Sequence, residues 1–166
     1  MIRVRYLKDF SDHYTTPGSR AAMLGHSALD FFRACAVVRE YERHDKGIWL
    51  ISFLLPTMHQ TLELLLKAIA HKADASFNPR KYSHRTLDIL QDYAPMVPAF
   101  SAVLSDAENV ELLSELERAY MGVRYGECSL SYDGDAWDRF VALCELLFQD
   151  LGSRTGLRFP MGHWLQ

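Results

Sequence analysis

The chain has 166 residues, 49% of them hydrophobic and 23% charged, which suits one soluble domain able to bury roughly two-thirds of its unfolded surface. A formal net charge of −3, from 18 basic and 21 acidic residues, excludes an overall polycation that coats nucleic acid unspecifically. Three isolated cysteines without a C-x-x-C exclude a disulfide framework and a structural zinc cluster, and fit a reducing compartment.

Residues 1–18 alternate weakly (Ile2, Val4 and Tyr6 against Arg3 and Arg5) and are expected to form an extended arm broken by Pro17-Gly18. A helix follows from Arg20 to about Glu42, with Leu24, Ala28, Phe31, Cys35 and Val38 in one stripe, Leu29, Phe32 and Ala36 widening it and "RHDKG" ending it. The second helix has the clearest pattern: Ile51, Leu54, Leu55, Met58, Leu62, Leu65, Leu66 and Ile69 recur every three or four residues. Pro56 falls inside this run, which is read as one kinked helix reaching about Lys72. "ADASFNPRK" is a loop, a shorter helix is expected from Ser83 to Tyr93, and "APMVP" stops it. A turn or short helix over Ala99 to Leu104 precedes a helix capped by Asp106 or Asn109 and ending near Tyr125. "SYDGD" is a turn, after which Asp133 or Asp135 caps a last helix with Trp137, Phe140, Val141, Cys144, Leu147, Phe148 and Leu151 in a stripe. Residues 152–166 read as an irregular tail whose Phe159, Trp164 and Leu165 have apolar surface to bury. No central strand appears, so the expected fold is one all-α domain over residues 1–166, an antiparallel up-and-down bundle of four to five helices.

The N-terminus lacks the apolar core of a signal peptide, and the run Ile48 to Pro56 is too short to span a bilayer. A cytoplasmic protein without membrane contact is expected. Phosphate-loop, dinucleotide and zinc-protease signatures are absent, as are the Glu-x-x-His pairs of di-iron bundles. No cofactor or metal is therefore expected. His59 and Glu63, four apart, share a helix face and read as a solvated or hydrogen-bonded pair. Glu63 and Lys67 likewise form an i,i+4 pair on a polar edge.

Three segments carry more information together than singly. "HQTLELLLKAI" (His59 to Ile69) is amphipathic, "YSHRTLDIL" (Tyr82 to Leu90) opens a helix with a histidine, and "LERAYMGVRYGE" (Leu116 to Glu127) closes one with Arg-Tyr. Their order and spacing resemble the HEPN superfamily of small helical bundles, over about Ile48 to Glu127. That resemblance implies a HEPN-like bundle and a homodimer. It also implies a ligand among nucleotides, RNA or proteins, including nucleotidyltransferase-like partners in toxin–antitoxin or defence systems. Many members resemble metal-independent endoribonucleases that pair R-x(4–6)-H motifs across the dimer, with the arginine stabilising the transition state and the histidine moving a proton.

Arg124 matches that arginine, but the histidine positions hold Ser129, Leu130 and Ser131. Serine cannot replace imidazole as an acid–base group near neutrality. Arg39–His44 and Arg20–His26 also satisfy the spacing, yet both lie in the first helix and at the frequency chance supplies. The ranking that follows is a non-catalytic module that binds nucleotide, RNA or protein, then an endoribonuclease using Arg124 with an unconventional base (His84 or Tyr132), then an oligomerisation scaffold.

The candidate ligand-binding residues are Arg124, Tyr125, Glu127, Tyr120 and Arg85, with Arg124 and His84 the catalytic candidates. Arg124 reads equally as a helix C-terminal cation paired with Glu127. Tyr120 reads as core, Tyr125 as a stacking platform, and His84 as a structural histidine at a helix start. Arg80, Lys81, His84 and Arg85 are the densest basic cluster, suited to nucleic acid or to a solvated loop.

Overall fold

A computed structural model describes residues 17–44, 50–125 and 134–160. Among them the protein is all-helical, with α1 (Pro17–His44), α2 (Ile51–Ala73), α3 (Pro79–Tyr82), α4 (Thr86–Tyr93), α5 (Pro98–Ser105), α6 (Ala107–Tyr125) and α7 (Gly134–Thr155). Four long helices and three short ones match the four main helices plus short pieces that the periodicity predicts.

α2 is the hub and packs against α1, α4, α6 and α7, its contact with α1 being the most extensive in the fold. Its three-and-four pattern explains this position. Leu54, Leu55, Met58, Leu62, Leu65, Leu66 and Ile69 are all buried, each worth roughly 1.5–3 kcal/mol of transfer free energy. The helix runs through Pro56 without interruption. From α7, Phe140, Cys144, Leu147, Phe148 and Leu151 enter the same core. Phe32 of α1 lies between them, 5.9 Å from Phe140 and 6.4 Å from Phe148 by ring centroids. Burial pushes the Cys35 thiol up to about 12 and holds Cys144 well above its ordinary value, so both pack as small hydrophobes.

Several expectations are corrected. The stripe of α1 centres on Ala28, Phe32 and Cys35, while Phe31 is left 40% exposed. α1 begins at Pro17, so the Pro-Gly pair starts the helix instead of breaking the chain, because proline's fixed φ suits a first helical position. At the other end α7 continues to Thr155, into the stretch read as irregular. Phe159 packs back onto Phe148 (5.3 Å) and His26 (5.5 Å). The segment expected to be helical from Ser83 splits: α4 starts only at Thr86. Asp106 is the cap of α6, its Oδ1 accepting the Glu108 and Asn109 amides at 3.0 and 3.4 Å. Residues 1–16, Asp133, Trp164 and Leu165 lie outside the described residues.

Among the described residues one helix, Ser19–His44, is long and apolar enough to cross a membrane by length and composition, with a mean hydropathy of 1.3. In the fold it buries Ala21, Ala28, Leu29, Phe32, Cys35 and Ala36.

Candidate functional site

His59, Glu63 and Lys67 stand one helical turn apart on α2 and form a polar column in an otherwise apolar helix. They are 0%, 3% and 9% exposed, which corrects the expectation of a solvated edge. A buried charged column requires partners. The chain supplies them where α3 ends.

α3 starts from Asn78, whose side chain accepts the Arg80 amide at 3.1 Å, with Pro79 in its first turn. It stops at Ser83, the one described non-glycine residue with positive φ, 51°. Such a conformation costs on the order of 1–3 kcal/mol, and the α2 column holds it in place. Lys67 Nζ donates to the Ser83 carbonyl at 2.7 Å, and His59 Nε2 donates to the His84 carbonyl at 3.1 Å. Two carbonyls that leave the helical ladder are thereby satisfied by side chains from a different helix.

Glu63 ties the column to the His84 side chain. Its Oε1 accepts from Lys67, and its Oε2 accepts from His84 Nδ1 at 2.9 Å. The carbonyl facing His59 only accepts, so the His59 proton sits on Nε2. His59 Nδ1 is then a buried lone pair without a hydrogen bond, 3.8 Å from Glu63 Oε2. Burial holds the His59 pKa below its ordinary value, with Glu63 opposing, and so keeps the ring neutral.

α6 closes the site. The Tyr120 ring lies 4.7 Å from His59 and 4.6 Å from His84 between centroids. One turn earlier, Glu117 Oε2 accepts from the Thr86 amide at 3.0 Å and from its hydroxyl at 3.1 Å. That carboxylate from α6 therefore serves as the N-terminal cap of α4, whose own Arg85 offers no side-chain cap.

Of the predicted residues, the structure brings together His84 and Tyr120, the latter half-buried against two imidazoles instead of wholly in the core. Arg124 and Tyr125 fall in the last turn of α6, with side chains outside the described residues, as are Glu127, Cys128, Ser129, Leu130, Ser131 and Tyr132. Arg85 is exposed and occupied by Asp88 Oδ2 at 2.7 Å and by the Lys81 carbonyl at 3.1 Å. Lys81 is held by Asp92 at 2.8 Å, so two cations of the basic cluster carry carboxylate partners. Among the described residues, no group of three or more His, Cys, Asp or Glu side chains is arranged to hold a metal ion.

Sequence reasoning missed Glu117 altogether. The column on α2 did leave a signal, since polar residues at 59, 63 and 67 repeat every four positions. Comparison with protein-family models, curated proteins and solved structures finds no match to this chain.

Proposed function

We propose that the chain is a HEPN-like, up-and-down helical module that binds nucleotide or RNA where the start of α4 meets the end of α6. One observation carries this reading: the three segments on which the resemblance rests converge. His59, Glu63 and Lys67 come from the first, Ser83 and His84 from the second and Tyr120 from the third, joined by hydrogen bonds between the first two and by the Tyr120 ring against His59 and His84. Arg124 follows Tyr120 by four residues, one helical turn, and Tyr125 closes the same element. Arginine supplies forked contacts to phosphate, and tyrosine supplies a stacking face for a base. With no histidine at positions 129–131, the module binds without the late-helix acid–base pair of its nuclease counterparts.

The proposal includes a cytoplasmic homodimer, with a nucleotidyltransferase-like protein as a further partner in a toxin–antitoxin or defence setting. Phe31, Val37 and Tyr41, each 40–54% exposed, fall within about 120° of the α1 circumference and offer apolar surface for the dimer.

Fluorescence anisotropy with a labelled single-stranded RNA and a labelled adenine nucleotide tests the reading. Binding is expected to weaken as salt rises, and about 10- to 100-fold on Arg124→Ala, the loss of one charged contact. The free protein is expected to sediment at twice its 19.1 kDa chain mass. Binding of neither probe, or wild-type affinity in Arg124→Ala, defeats the proposal.

A further inference from the structure

We infer that the α2 column works as a proton-operated latch: a proton taken up on His59 claims the Glu63 oxygen that holds His84 and lets the His84 ring move into solvent. No ligand enters the device, so it holds whether or not nucleotide binds at this surface.

Two imidazoles face one carboxylate oxygen. Glu63 Oε1 is taken by Lys67, which has protons to give and no lone pair. Oε2 lies 2.9 Å from His84 Nδ1 and 3.8 Å from His59 Nδ1. A carboxylate only accepts, so the proton of neutral His84 is on Nδ1, and that ring holds the oxygen. His59 carries its own proton on Nε2, against the His84 carbonyl, so its buried Nδ1 has nothing to donate. The charged and titratable groups that bear on His59 are Glu63 and Lys67 from α2, His84 from the junction of α3 and α4, and Tyr120 from α6. Glu63 is the one carboxylate among them.

A second proton on His59 enters at Nδ1 and reverses the competition. The new N–H stands opposite Oε2, and a shift of about 1 Å brings the two to hydrogen-bond length. His59 is 0% exposed and has no water to turn to, whereas the His84 side chain is 30% exposed and does. A buried charge without a partner costs far more than a hydrated polar group, so the buried imidazolium takes the carboxylate. Once Lys67 and His59 both stand on Glu63 as cations, its charge is more than offset, and its hold on the third donor weakens. His84 is then released, and Tyr120, whose ring lies 4.6 Å from it, loses that neighbour. Burial sets the His59 pKa below 6.5, with Glu63 opposing, so release is confined to more acid solution than that.

Nitrogen-15 and proton NMR of the full chain, titrated from about pH 8 to about pH 5, tests the latch across the ordinary histidine range. At the alkaline end His59 is expected to be protonated on Nε2 and His84 on Nδ1, with nuclear Overhauser contacts from Tyr120 to both rings. As His59 gains its second proton, the contact between Tyr120 and His84 is expected to vanish with the same midpoint, while that between Tyr120 and His59 stays. In His59→Gln the amide still donates to the His84 carbonyl but takes up no proton, so the His84 contact is expected to persist to the acid end. Removing the competitor gives the reciprocal result. His84→Ala is expected to make His59 protonation about tenfold easier, which raises its midpoint by about one pH unit. Because the His84 ring is partly exposed, this variant carries the test if the buried His59 variant does not fold. A contact between His84 and Tyr120 that survives His59 protonation, or that is lost at the same pH in His59→Gln, overturns the inference. So does an unchanged His59 midpoint in His84→Ala, or a wild-type His59 that stays neutral throughout.

Discussion

His71, in the last turn of α2, is 4% exposed, and neither ring nitrogen has a hydrogen-bond partner. Its ring meets Phe77 edge-on at 4.9 Å. Burial lowers its pKa below the ordinary 6.5, with the Arg20 charge adding to the effect and Asp74 opposing it. His59 is lowered in the same direction by its own burial. Both rings are neutral when folded, so the unfolded chain binds more protons just below pH 6.5. Their contribution to stability is complete above that value and is lost as pH falls towards the folded pKa values. The melting temperature is accordingly expected to drop between pH 7 and pH 5. His71→Leu removes a buried orphan polar group. It is expected to stabilise the fold by about 1 kcal/mol at pH 7 and to flatten the pH dependence, both measurable by urea denaturation at the two pH values. None of this is written in the local sequence, where "AIAHKA" reads as an ordinary helix end with a favourable terminal cation.

Between elements, the contact of α6 with α4 depends on Glu117. Replacing it with alanine leaves the amide and hydroxyl of fully buried Thr86 without their acceptor. A loss of about 1–3 kcal/mol in chemical denaturation is expected, and Glu117→Gln, which keeps an acceptor oxygen, is expected to recover part of it. The elements themselves were largely legible. α2 and α7 carry long apolar stripes that line the core as the spacing predicts, with Ile51, Trp137 and Val141 only partly buried, and of the two caps the sequence offers for α6, Asp106 and Asn109, the structure selects Asp106. The break at Ser83 and His84 was not legible. Neither residue is glycine or proline, and the carbonyls released there are captured by Lys67 and His59, 16 and 25 positions away. A helix boundary set by tertiary hydrogen bonds leaves no local mark. The candidate site was legible as residue types at spacings, through His84 and Tyr120, but the burial that turns Glu63 and Lys67 from a surface pair into an internal one was not.

At the scale of the molecule, α1 and α7 approach closely at Gly25. A Cβ there would sit 2.6 Å from Leu151 Cδ2 and 3.0 Å from the Phe159 ring, and Leu151 is fully buried, so the packed side chains would have to shift. Gly25→Leu is expected to cost at least about 1–3 kcal/mol, read from the urea midpoint, despite leucine's better helix propensity. The same contact has a consequence during synthesis. α1 leaves the ribosome with its apolar length uncovered. α2, next in the chain, supplies the most extensive cover within moments. The face holding Gly25 and Phe32 must wait until α7 has been translated, roughly ten seconds at ~5–20 residues per second. For that interval the part of the α1 surface around Gly25 and Phe32 stays uncovered, and only the arrival of Phe140, Phe148 and Leu151 from α7 closes it.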